Sequence, residues 1–178
     1  MTQNDFWRLL DATRGQADRA DVLAQGLAQL DEQQIVQFRI VYDDLINAAN
    51  KFDLWGAAHV INRGCTEDEF YHFREGLIEL GQKVFEAALT DPDSLAAVTK
   101  PGERLMGSQG LESAAAMAWV SKTNAESEDA FFEAVDAADF ESTVEANDEG
   151  EWWNFDRRDE VEHRLPRLAE KFLKDEAE

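Results

Sequence analysis

From Ile35 to Leu89 the apolar side chains recur at steps of three and four: Ile35, Phe38, Tyr42, Leu45, Ile46 and Ala49, then Phe70, Phe73, Leu77, Leu80 and Val84. That spacing lines one face of an α-helix and does not match a strand, whose side chains alternate every two residues. Alternating β-branched runs, internal repeats and sustained heptads are absent from the chain. The expectation is an all-α fold of six to eight helices, antiparallel where connections are short. It is read as a single helical domain over residues 1–178, with a helical core at 1–98 and an acidic extension at 99–178 packed on it.

Local signals divide this pattern into elements. Asn4 or Asp5 is placed to cap a first helix bearing Phe6, Leu9 and Leu10, with Gly15 ending it. A second helix carries Val22, Leu23, Leu27 and Leu30; Gly26 either weakens it or admits a close neighbour. A third begins near Asp31, bends near Lys51-Phe52 and continues through Leu54, Trp55, Ala58 and Ile61 to a left-handed stop at Gly64. Thr66 and Glu69 have capping-box spacing, and Glu67, Asp68 and Glu69 suit the positive end of a helix dipole. Gly81 is a break point, and Asp91-Pro92-Asp93-Ser94 is turn chemistry. Residues 111–122 read as a mainly buried helix and Glu126–Phe140 as an amphipathic one. Residues 147–150 read as a loop, the last helix starts near Pro166, and 174–178 fray.

The segment from Asp53 to Val98, DLWGAAHVINRGCTEDEFYHFREGLIELGQKVFEAALTDPDSLAAV, resembles the bacterial family known as domain of unknown function 4240. The resemblance rests on Trp55, Gly56, Ile61, Asn62, Gly64, Cys65, Asp68, Phe70, Phe73, Arg74, Phe85, Pro92, Asp93 and Leu95. Phe6-Trp7 and Leu165-Pro166-Arg167-Leu168 look like the family's two ends. The resemblance implies no assigned activity. Two positions depart from the family pattern: Arg63 stands where a second glycine is usual, and His59 where a tyrosine is usual.

Charge narrows the function classes. The formal net charge is −21, from 38 acidic and 17 basic residues. Such a surface disfavours nucleic acid and anionic membranes, and no stretch approaches the ~20 apolar residues of a membrane span. Residues 121–178 carry nineteen acids against seven bases, so the C-terminal third is the acidic part. The acidity reads as a solvated surface, as an adaptation to a salty cytoplasm, or as the complement of a basic protein partner. A single cysteine and an N-terminus without a basic, then apolar, start point to a reduced cytoplasmic protein.

The chemically capable side chains concentrate between Asp53 and Arg74. His59, Cys65, Asp68, His72 and Arg74 are the catalytic candidates if the chain is a small hydrolase or transferase. Cys65, just before a helix start, is either a nucleophile with a lowered pKa or a small side chain closing a turn. Arg74 reads as a clamp on an acidic partner, with anion binding as the alternative. No metal or cofactor motif is present, and neither group is expected. The run 126–151, with Asp136 and Asp139, lacks calcium-loop spacing and reads as a solvated helix face. Trp152, Trp153 and Phe155 form either a lid packed on the body or an exposed partner-binding patch. The leading reading is a helical protein that works by binding a protein partner.

Overall fold

The structure is a computed structural model that describes residues 1–108, 110–138 and 149–174. Helices run in the order α1 (Gln3–Ala12), α2 (Arg19–Leu27), α3 (Glu32–Ala48), α4 (Phe52–Asn62), α5 (Glu67–Leu80), α6 (Gln82–Thr90), a 3-10 helix (Pro92–Ala97), α7 (Leu111–Thr123), α8 (Asp129–Asp136), α9 (Arg158–Arg164) and α10 (Pro166–Phe172). The all-α class is as expected. The described residues hold ten α-helices and one 3-10 helix, more segments than six to eight. Two breaks account for much of the excess. Gly81, at φ +91°, separates α5 from α6. Leu165, outside the helical region at φ −130° and ψ +56° ahead of Pro166, separates α9 from α10.

Most helix ends follow local chemistry. The first cap lies earlier than Asn4 or Asp5: the Thr2 hydroxyl accepts from the Asp5 amide, while the Asp5 carboxylate accepts from the Thr2 amide at 3.0 Å. Asp31 and Gln34 form the same reciprocal pair at the start of α3. The break at Lys51-Phe52 stands where the pattern placed it. Phe140, Asp139 and the loop residues 147–148 lie outside the described residues, as do 175–178.

The chain divides into two units. The first comprises residues 1–45 and 108–145. Phe6, Trp7 and Leu10 of α1, Leu23 and Leu27 of α2, Ile35 and Phe38 of α3, and Phe131 of α8 are buried there. The Phe6 and Phe38 rings lie 4.7 Å apart. Ala114, Ala115 and Ala118 of α7 are buried, and the small side chains let α7 pack closely along α2.

The second unit comprises residues 46–107 and 146–178. Its core is built from Leu54, Ala57 and Ala58 of α4, Phe70, Phe73, Leu77 and Ile78 of α5, Phe85 of α6, Leu95, and Val161, Leu165, Leu168 and Phe172 of the closing helices. Asp93 joins distant segments. Its buried carboxylate accepts from the amides of Arg167 and Leu168 at 2.9 and 2.8 Å, and so caps the start of α10. No described helix is long and apolar enough to cross a membrane.

Gly26 faces open space: nothing lies within 4 Å of where a Cβ would stand. Of its two readings, the close neighbour is therefore absent. Replacing it with alanine removes backbone entropy from the unfolded chain with no clash, and Gly26→Ala is expected to stabilise by about 0.5–1 kcal/mol. Denaturant melting of the two proteins measures this, and an unchanged or lower midpoint contradicts it.

Candidate functional site: an aromatic segment seated on the fourth helix

The site lies in the second unit and starts from Gly56. Helix α4 presents this glycine without a side chain, and the Trp153 indole occupies the space. A Cβ at Gly56 would stand 2.1 Å from Trp153 Cζ2. Asp53, one turn earlier, accepts the Trp153 indole N–H at 2.8 Å. The Arg164 guanidinium lies 5.5 Å from the centre of the Trp153 ring, within cation–π range. Phe52 N donates to Glu149 O at 2.8 Å, which ties the start of the segment to the start of α4. Trp153 is 3% exposed.

Its neighbour Trp152 is 63% exposed. The two adjacent indoles therefore differ: Trp153 is seated on α4 and Trp152 faces solvent. Phe155 then gathers the aromatic groups. Its ring centre lies 4.8 Å from that of Trp153, edge to face, and 5.9 Å from that of Trp55. Trp55 in turn stacks on Phe70 at 5.1 Å and donates its indole N–H to Cys65 O at 2.9 Å. The segment is thus a packed lid at Trp153 and Phe155 and an exposed patch at Trp152.

The residues singled out between Asp53 and Arg74 have separate partners. His59 Nε2 lies 3.1 Å from an Asp156 carboxylate oxygen. His72 Nδ1 lies 2.7 Å from Glu75, a carboxylate only 3% exposed. Asp68 is exposed in the first turn of α5. Arg74 donates to Ile46 O at 3.1 Å, in the last turn of α3, where unsatisfied carbonyls attract a cation. Its guanidinium also lies 4.8 Å from the Phe70 ring centre.

Cys65 is half-buried, and its thiol donates to Thr66 O at 3.6 Å. Burial, followed by the Glu69 charge, pushes the thiol up to about 12, against the smaller opposing effect of Arg104. Desolvation outweighs the helix-start dipole here, so the thiol stays protonated at neutral pH. Among the described residues no group of three or more His, Cys, Asp and Glu side chains is placed to hold a metal ion.

Helix α4 ends differently from the glycine stop expected at Gly64. The left-handed residue that ends it is Arg63, at φ +59° and ψ +54°, followed by Gly64 at φ +108°. Arg63 N and Gly64 N both donate to His59 O. Asn62 fixes this position: its side chain donates to Leu105 O at 3.2 Å and accepts from Leu105 N at 2.9 Å. The helix therefore runs to Asn62, and the reversal falls on the next residue.

A family model described as "Protein of unknown function (DUF4240)" matches residues 1–138. The chain belongs to that family. No curated protein and no solved structure matches the chain. The match takes in α4, Gly56, His59 and Arg63, and ends before Trp152, Trp153, Phe155 and the segment Leu165–Leu168. The aromatic segment thus lies beyond the matched residues, although its seat on α4 lies within them.

Gly56→Ala is expected to destabilise by about 1–3 kcal/mol, because the added methyl displaces a buried indole. Denaturant melting checks this, and a melt equal to that of the native protein contradicts the seat.

The capping box at Thr66 and Glu69 supplies a pH prediction. The Thr66 amide donates to Glu69 at 3.0 Å and Arg104 donates to it at 2.6 Å. The amide bond first, then Arg104, holds the Glu69 carboxyl at about 2, below its ordinary 4.5. A depressed carboxyl favours the folded state above its unfolded pKa and loses that contribution as pH falls through the folded one. The stability gap between native and Glu69→Gln proteins is therefore expected to be full above about pH 5 and to close toward about pH 2. Melts across that range test it, and a gap independent of pH contradicts it.

Proposed function

We propose that this chain works by binding a protein partner, a basic one, through Trp152 and the acidic side chains beside it. The observation that carries the reading is the contrast within one dipeptide: Trp152 is 63% exposed while Trp153 is 3% exposed and anchored. An indole held out on a fixed backbone loses little conformational freedom when a partner covers it, and tryptophan is enriched among the residues that dominate binding energy. Glu149, Glu151 and Asp156 flank it and are exposed. With a chain charge of −21, they favour a Lys- or Arg-rich surface carrying an apolar side chain for the indole to cover.

The purified chain is tested against Lys/Arg-rich peptides that differ in one central apolar residue, beside Trp152→Ala. Binding is expected to weaken at least tenfold in the variant. It is also expected to fall as salt rises from about 0.1 M to about 1 M, where the Debye length shrinks from about 10 to about 3 Å. The variant's stability is expected to stay within about 0.5 kcal/mol of the native protein, because the removed side chain is exposed. Equal binding by the two proteins, or binding indifferent to salt, counts against the reading.

A further inference from the structure

A cleft of the same unit has a chemistry of its own. It encloses 380 Å³ and is lined by His59, Val60, Arg63 and Gly64 from the end of α4, Phe155 and Asp156, Arg158 and Val161 of α9, and Phe172 and Leu173. Val60, Val161 and Phe172 are buried and form an apolar floor. The volume falls in the range of sites for small molecules, and an apolar floor with a few polar groups at the rim is their usual composition.

Arg63 distinguishes this rim. It is exposed, and its guanidinium has no hydrogen-bond or ion-pair partner among the described residues. Arg158, by contrast, donates to Glu162 at 2.7 Å. Arg63 also holds a left-handed backbone conformation that glycine adopts without strain and a side-chain-bearing residue does not. A large cationic side chain at a position suited to glycine leaves a guanidinium free beside a cleft with an apolar floor, in a chain of charge −21.

We propose that this cleft binds a small monocarboxylate with an aryl or branched-alkyl body, the carboxylate on Arg63 and the body on Val60, Phe155, Val161 and Phe172. A planar guanidinium with free N–H groups matches a carboxylate in two parallel hydrogen bonds. Charge selects a monoanion. Arg63 and Arg158 are set against Asp156, which remains in the cleft 3.1 Å from His59, so a phosphate dianion would meet a carboxylate as it entered. Phe155 lines the cleft with its ring centre 6.0 Å from that of His59, so an aryl body on the floor lies beside an aromatic wall. The cleft shares Phe155 and Asp156 with the surface beside Trp152, but Trp152 does not line it and Arg63 is not part of that surface, so either proposal can stand without the other.

The test is a titration of the full chain with phenylacetate, indole-3-acetate and 4-methylpentanoate, each beside its primary amide, followed in methyl-resolved NMR spectra. At least one acid is expected to bind, to shift the methyl signals of Val60, Val161 and Leu173, and to bind at least tenfold more tightly than its amide. Arg63→Gly is the decisive variant. Glycine suits the left-handed position, so its melting midpoint is expected to match or exceed the native one, while its affinity for the acid falls at least tenfold. Trp152→Ala is expected to bind the acid as the native chain does. The proposal is overturned if none of the acids moves those methyl groups, if acid and amide bind alike, or if Arg63→Gly retains the native affinity.

Discussion

The seat of Trp153 on Gly56 is the contact on which the aromatic surface of the second unit depends. A large amphipathic side chain fills the space where a helix lacks one, and Asp53 receives its indole N–H in the same place. Burial of an aromatic ring and satisfaction of its polar edge are achieved by two residues of a single helical turn. From this contact follow the outward face of Trp152, the position of Phe155 between Trp55 and Trp153, and the placement of Asp156 against His59.

This arrangement separates two kinds of surface within a few residues. One carries an exposed indole among acids. The other is a cleft with a buried apolar floor and an exposed Arg63. Both are built beside α4. The helix offers a glycine in its first half and a left-handed arginine at its end, and the glycine lets the segment 149–157 approach in a way that a regular helix surface would not. Cys65 belongs to this framework: its backbone carbonyl accepts the Trp55 indole N–H, and burial pushes the pKa of its thiol up.

Several of these features were legible before the structure, and for one reason: they are set by residues within a turn or two of each other. The capping box at Thr66 and Glu69, the break at Gly81, the start of the last helix at Pro166 and the buried faces of α3 and α5 rest on local hydrogen bonding and on the helical period. In two places where local reading slipped, a distant contact had intervened. The reversal after α4 falls on Arg63 rather than Gly64 because Asn62 is held by the backbone of Leu105. Arg74, read as a clamp on an acidic partner or as an anion site, turns to a last-turn carbonyl of α3, that of Ile46.

The amino-acid sequence by itself determined that this chain is helical, where most of its helices begin and end, and which side chains make its core, since periodicity and capping act over a few residues. Tertiary structure alone decided that one of two adjacent tryptophans is buried and the other exposed, because the choice depends on a glycine about a hundred residues away along the chain. It likewise decided that Asp93 caps a helix across 75 residues, and that Arg63 and His59 face the same cleft as Phe172. Contacts at such separations carry no periodic signal. They exist only once the packing of the core has brought the segments together.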